Sequence, residues 1–445
     1  MKKQSKHNFI NVEQWYLDTV IRYSEEIPPE YPELPIKTVL SQIKFKLERK
    51  IKGRARFEAD HYAERPVNNA ICVALLENLR QRKECGERTV AVLSPHPKES
   101  TLSASDGYMR RVAQIDQLLL KSEYRVYLYD SDYWNVPVPT VSYYGVGDIA
   151  VTYNGCFRSH LEYIRELITS CSVCYIQSIM RILPRIGSSE DPADYLLSSS
   201  ETKYILDMHG TVPLELELDG KDSKQAVKTE KKCVQAASAV VTVNKISEEY
   251  LSSILQGEKA KTYSIPMISA SDNICIKEKE VVRVIYAGGT QKWQLMDEMC
   301  DAVKHCPREG VVFEFLLSSG REKDKLSGIP NVEVDSVPVS EVAGHLAKSH
   351  YGFLLRNDSE INKYATPTKL IEYIQYQVVP VLKSVEIGDF VDEGMQYIRL
   401  GDFIQGLLPS EDERALMAIN NMKVLNNMAK EADSELNRLR KDFFE

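Results

Sequence analysis

Apolar runs too short for buried helices recur along this chain, each bounded by polar loops. Arg88–Leu93 reads RTVAVL and Tyr124–Tyr129 reads YRVYLY. Asp148–Thr152, Ser172–Gln177, Tyr204–Met208 and Ala239–Val243 continue the series. A second series follows at Val281–Tyr286, Val311–Leu317, Asn331–Val334, Tyr351–Leu355 and Val378–Leu382. Near-continuous runs rich in β-branched and aromatic residues suit parallel strands covered on both faces. Helix-period segments lie between them: Met109, Val112, Ile115 and Leu119 share a face, as do Trp293, Met296, Met299, Cys300 and Val303. Strand–helix alternation leads to parallel pairing through crossover connections. The predicted fold class is therefore α/β, with one Rossmann-like domain for each series. The polar stretch Ile268–Glu280 between the series is the expected linker. The expected organisation is a helical N-terminal extension over 1–85, a first domain over 86–268, a second over 275–410, and a helical tail over 411–445. A chain of 445 residues has the length for this.

Composition narrows the function. Asp and Glu number 64 against 56 Lys and Arg, a net charge of −8 that argues against a general nucleic-acid binder. Nine cysteines are scattered without a second CxxC to partner Cys171 and Cys174. They read as buried thiols in a reducing compartment, not as zinc ligands. The Met-Lys-Lys-Gln start lacks the apolar core of a secretory signal, and no run approaches a membrane span. A cytoplasmic protein is expected. Residues 43–56, basic with apolar members, are a candidate peripheral contact with the inner face of an anionic membrane. Nucleophile elbow, Walker loop and H-E-x-x-H are all absent, and no pair of carboxylates brackets a glycosidase site.

In open α/β sheets ligands sit at the carboxyl ends of strands. Gly107 enters a helix after the first strand and could let substrate approach the backbone, although G-x-G-x-x-G is missing. Asp130-Ser131-Asp132 matches a DxD pattern that arises often by chance. His209 ends the strand leading into Asp207-Met208-His209-Gly210, with Glu215 and Glu217 just beyond. In the second series, Gly288 and Gly289 could admit a diphosphate and Lys292 could neutralise it. Arg356 ends a strand at the same edge. The stretch Leu355–Ser384, LRNDSEINKYATPTKLIEYIQYQVVPVLKS, then reads as loop, helix and buried strand. Thr366 can cap that helix, with Pro367 at its first position. The free amides over Thr366–Thr368, together with Lys369, make an anion site. Glu372, one turn in, can accept hydrogen bonds from sugar hydroxyls.

PTKLIEY followed by VVPVLKS resembles the donor-sugar segment of GT-B glycosyltransferases, in particular the family 4-like enzymes of bacterial capsule and exopolysaccharide assembly. The resemblance implies two Rossmann-like domains facing across a cleft, with the last helix crossing back onto the first domain. It implies a nucleotide-sugar donor, a glycan or lipid-linked acceptor, retention of configuration, and no cofactor or divalent metal. Glu372 would contact the ribose, Lys292 the leaving diphosphate, and His209 the donor sugar from the opposite domain. Two positions depart from the pattern: Tyr364 stands where a partner acid is usual, and Gln377 where a glycine ends the helix. Tyr364 keeps open a non-catalytic GT-B-like sugar-binding or chaperone subunit, and a UDP-sugar epimerase is the remaining alternative.

Overall fold

A computed structural model of the chain describes residues 66–98, 107–131, 139–185, 190–255, 260–307, 309–317, 323–326 and 328–445. The basic segment 43–56 and most of the expected N-terminal extension lie outside the described residues. The Pro66–Glu84 helix precedes the first sheet.

The first lobe holds eight strands: β1 (Thr89–Leu93), β2 (Tyr124–Asp130), β3 (Thr140–Gly145), β4 (Asp148–Tyr153), β5 (Val173–Gln177), β6 (Lys203–Met208), β7 (Ala239–Thr242) and β8 (Lys261–Ser264). Their order is β3-β4-β2-β1-β5-β6-β7-β8. All pairings are parallel except β3 with β4. The second lobe holds β9 (Val282–Gly288), β10 (Val311–Leu317), β11 (Val332–Asp335), β12 (Tyr351–Leu354), β13 (Val379–Leu382) and β14 (Ile398–Arg399), in the order β11-β10-β9-β12-β13-β14 and all parallel. The fold is thus α/β with two parallel-sheet domains. The apolar runs become the fully buried central strands, β1, β5, β7, β12 and β13 among them. Three strands escape the sequence reading. β3 is a half-exposed antiparallel edge, β8 is short and polar, and β14 pairs only two residues.

Each sheet order reverses once around its centre, between β1 and β5 in the front lobe and between β9 and β12 in the rear lobe. Loops leaving the two central strands part in opposite directions there and open a crevice.

The Glu411–Phe443 helix ties the lobes together. Ser410 and Glu413 form a reciprocal capping box at its start. Leu425, Met428 and Ala429 pack into the rear core, while Leu436, Leu439 and Phe443 pack under the front sheet. Direct contacts add to this. Asp389 accepts the Lys245 and Ile246 amides at 2.7 and 3.1 Å, capping from across the gap the Ser247–Leu255 helix. Lys245 also pairs with Glu393 and Glu431, and Lys363 with Glu249. A Cβ on Gly388, whose φ is +67°, would stand 2.8 Å from the Ala365 carbonyl oxygen and 3.4 Å from Asn244 Nδ2 of the front lobe, so a side chain there would crowd both.

Between the lobes, residues 265–281 carry no helix or strand. The buried Lys277 anchors this segment. Its ammonium donates to the Leu346, Ala347 and Tyr376 carbonyls at 2.8–3.1 Å, at the ends of the Val339–Lys348 and Thr368–Gln375 helices. It serves the Ala347 and Tyr376 carbonyls, and that of Leu346 beside the Ser349 amide, where the helix dipoles favour positive charge. Lys277→Met should therefore lower stability by about 2–3 kcal/mol in urea unfolding, since the apolar stem stays while the carbonyls lose their donor. An unchanged midpoint would mean that water replaces the ammonium.

Candidate active-site cleft

The rear wall is built at the β9/β12 switch point. Lys369 lies on the first turn of the Thr368–Gln375 helix and reaches back over β9. Its Nζ donates to Tyr286 Oη at 2.8 Å and to Gln294 Oε1 at 3.1 Å. Gly288 makes room for it: a Cβ there would lie 2.3 Å from both Cε and Nζ of Lys369, and the φ of +150° is one that side chains rarely adopt. Gly289 is crowded in the same way by the Gln291 side chain, and its carbonyl accepts from Tyr286 Oη. Burial, with Arg356 adding to it, pulls the Lys369 ammonium down to about 7. Arg356, just beyond β12, donates to the Trp293 carbonyl and so stands beside the turn that carries Lys292. Lys292 itself is exposed. The glycine pair, Lys292, Arg356 and Lys369 thus gather at one sheet edge.

The helix start differs from expectation. Pro367 is the N-cap, the helix begins at Thr368, and no side chain caps it. The Thr366 hydroxyl instead donates across the gap to the Val243 carbonyl at 2.6 Å. Thr366 therefore helps to join the lobes, while the Thr368 and Lys369 amides, in the first turn of the helix, precede any intrahelical acceptor. At the other end Gln377 adopts the left-handed conformation a glycine would take, with φ 56°. Its amide and that of Val378 close the helix on Ile374 and Tyr373. The Gln377 side chain accepts the Cys275 amide, a bond glycine could not make.

The front wall is built at the β1/β5 switch point and at the end of β6. His209 Nε2 meets Gln177 Oε1 at 2.7 Å, leaving Nδ1 buried without a partner. Burial holds the imidazole down at about 4, so it is neutral at physiological pH. Behind it, Asp207 is gripped by Arg111 through both carboxylate oxygens and by Tyr175 Oη at 2.8 Å. Tyr108 covers the His209 ring at a centroid distance of 5.0 Å. Its hydroxyl lies 3.1 Å from the Gln177 carbonyl and 3.2 Å from Ser94 Oγ, its one proton shared between them, bridging the ends of β1 and β5. The helix bearing Tyr108 begins at Gly107, where a Cβ would meet nothing within 4 Å, so packing does not require that glycine.

Two side chains join the walls. Arg110 Nη1 donates to Glu372 Oε1 at 2.8 Å across a sequence separation of 262 residues. Tyr108 and Arg110 lie on one helix, as do Lys369 and Glu372, so the Arg110–Glu372 ion pair brings the helix beside His209 to the helix that carries Lys369. Arg110, Tyr108, Gln177, Tyr286 and Gln294 carry no motif, and only the tertiary fold exposes their part. Glu215 Oε1 stands 2.7 Å from where a Gly210 Cβ would sit, beside His209, whereas Glu217 bonds Ser223 away from it. Tyr364 is buried against the Tyr250 ring at 5.3 Å, filling an interlobe contact.

Outside the cleft, the Asp130 carboxylate is taken by Arg185 and the Gly155 amide, and Asp132 lies outside the described residues. Cys171 and Cys174 are buried in the front core, where burial drives the Cys171 thiol up to about 12. Among the described residues no group of three or more His, Cys, Asp or Glu is placed to hold a metal ion. No helix there is long and apolar enough to cross a membrane.

Solved structures of the same architecture are GT-B glycosyltransferases. HepE from Anabaena, in complex with UDP, superposes with a TM-score of 0.56 at 9% identity, covering 80% of this chain and 99% of that one. A glycosyltransferase from Rickettsia africae gives 0.55 at 10% identity, over 81% and 99%. A UDP-forming trehalose-phosphate synthase from Burkholderia xenovorans gives 0.51 at 10% identity, over 80% and 99%. No family model matches the chain, and no curated protein matches it in sequence. The fold is that of the GT-B class, with the two sheets meeting across the cleft just described.

Proposed function

We propose that this protein is a hexosyltransferase that moves a sugar from a nucleotide-sugar donor to a glycan or lipid-linked acceptor. The reading extends to retention of anomeric configuration, independence of divalent metal, and a role in cell-surface polysaccharide synthesis. The single observation that carries it is the Arg110–Glu372 ion pair, which brings the front-lobe helix after β1 to the rear-lobe helix that bears Lys369. HepE bound to UDP supports the choice of donor class.

Loss of a diphosphate from an anomeric carbon leaves negative charge on the departing oxygens and an oxocarbenium-like centre behind. Lys369, Arg356 and the Thr368 and Lys369 amides can receive the diphosphate, with Lys292 closing over it from the exposed side. Glu372 then exchanges Arg110 for the ribose hydroxyls. Neutral His209, with Nε2–H engaged by Gln177, presents Nδ1 as an acceptor for a donor-sugar hydroxyl. Asp207 and Arg111 keep that ring in place. Lobe closure excludes water and favours transfer over hydrolysis.

Nucleotide release from a panel of nucleotide sugars tests this. Wild-type protein should release nucleotide with at least one donor. Lys292→Ala and Glu372→Ala should each weaken donor use by about tenfold, the scale of one charge-assisted hydrogen bond. Nucleotide-sugar binding without turnover on any acceptor would favour a sugar-binding subunit, and release of a free epimeric sugar an epimerase.

A further inference from the structure

Arg181 is the one arginine of the front-lobe cleft edge whose guanidinium has no acid opposite it among the described residues. Its neighbours show the contrast. Arg185 is held by Asp130 and the Ser131 carbonyl, Arg111 by Asp207, and Arg110 by Glu372. Arg181 Nε instead donates to Tyr108 Oη at 2.9 Å, with its guanidinium carbon 4.3 Å from the centre of that ring. Both Nη groups are left over, and the side chain is only partly exposed. A half-buried cation stripped of some water and given no counter-charge is costly unless a ligand supplies one.

Its place is not incidental. Arg181 follows β5 on a short 3-10 turn over Ile179–Arg181, at the front switch point where a ligand crevice opens. Ser178, which starts the turn, has φ 71° without being glycine. The Ser178 amide donates to the Asp207 carbonyl and its Oγ accepts the Met180 amide, so the turn is pinned in a conformation that side chains rarely adopt. Strain of this kind persists where the surroundings fix it, and it gathers at ligand sites. Tyr108 links Arg181 to His209, whose ring centroid lies 5.0 Å from that of Tyr108. The rear lobe already supplies Lys369, Arg356 and Lys292 for a donor diphosphate. Arg181 lies on the opposite wall.

Resting on the transferase reading above, we infer that the acceptor carries an anionic group, phosphate or carboxylate, received by the two free Nη groups of Arg181. A planar guanidinium fixed through Nε and a ring face offers the fork that such an anion takes in bidentate fashion. The anion can come from a soluble sugar phosphate or from a lipid-linked phosphate, and the two share this chemistry.

The test is calorimetric, on the full chain with UDP present to fill the donor side. Glucose 6-phosphate and glucose form one arm; a short polyprenyl phosphate and its alcohol form the other. At least one phosphate should bind wild-type protein at least tenfold more tightly than its neutral parent, and Arg181→Gln should weaken that phosphate by about ten- to a hundredfold. Arg181→Lys, which keeps charge without the fork, should recover part of the loss. Tyr108→Phe, which frees Nε, should lose about threefold to tenfold. The arm that responds identifies the source. Failure of both phosphates to bind wild-type protein, or binding that Arg181→Gln leaves unchanged, overturns the inference. A wild-type protein that ignores UDP yet loses phosphate affinity in Arg181→Gln would instead count against the transferase reading and leave the anion site standing.

Discussion

Lys369→Ala should cut kcat/KM for the nucleotide-sugar donor by about 100- to 1,000-fold while leaving the melting temperature within a few degrees. The magnitude is that of removing one preorganised donor aimed at a charged leaving group. The fold should tolerate the change because Lys369 is held by Tyr286 and Gln294, neither of which carries a charge that its removal would orphan. The same residue sets a pH dependence. With its ammonium pulled down to about 7, Lys369 is about half charged at neutral pH in the unliganded cleft. A diphosphate draws the proton back, so nucleotide binding takes up a proton and weakens as pH rises above about 7. For folding the sign is opposite. The unfolded chain holds this proton up to the ordinary lysine value of 10.5, so between about 7 and 10.5 the unfolded state binds more protons and the empty protein gains stability with rising pH. Lys369→Met should remove both slopes. Nucleotide affinity that is flat with pH in wild-type protein would show that the ammonium keeps its ordinary value.

Asp207→Ala is expected to have the largest effect on stability, about 3–5 kcal/mol by urea unfolding. Asp207 is fully buried and Arg111 nearly so, and the pair is closed by Tyr175 and by the Ile265 carbonyl, which accepts from Arg111 at 2.6 Å. Removing the carboxylate strands a guanidinium in the core. The double change Asp207→Ala with Arg111→Met should recover a good part of the loss, because an apolar side chain of similar length leaves no buried charge. Equal losses in the single and double variants would mean that the pair matters by packing and not by charge. The effect reaches the cleft, since Asp207 lies two residues before His209 and accepts the Ser178 amide through its carbonyl.

Much of this architecture is written in local pattern. Runs such as RTVAVL and VVPVL are apolar throughout because parallel central strands are covered on both faces, and nothing else of that length explains them. β3 and β8 escaped notice because edge strands need no apolar run, and their backbone is recruited by a neighbour already in place. The gathering of the rear wall was legible for a related reason: the Gly-Gly loop and the Pro-x-Lys helix start each follow a recognisable strand, and the carboxyl ends of parallel strands share one edge. Thr366 shows where local reading ends. Its hydroxyl is as suited to a cap as to any carbonyl, and only the arrival of Val243 from the other lobe decides between them. Arg110 and Arg181 were invisible for the same reason. What makes one a bridge and the other an uncompensated cation is the company each keeps after folding. The meaning of Tyr364 also changes once it is seen against Tyr250, for a ring in that contact fills space between the lobes where a carboxylate could not.

The idea that one ligand spans both lobes is tested most directly by amide hydrogen–deuterium exchange, with and without a saturating nucleoside diphosphate from a panel of UDP, GDP and ADP. At least one of these should slow exchange at Tyr286–Gln294 and Leu355–Lys369 in the rear lobe and, through lobe closure, at Tyr204–Gly210 in the front lobe. Lys369→Ala should abolish all three effects together. Protection confined to surfaces away from the cleft, or none with any nucleotide, would contradict it.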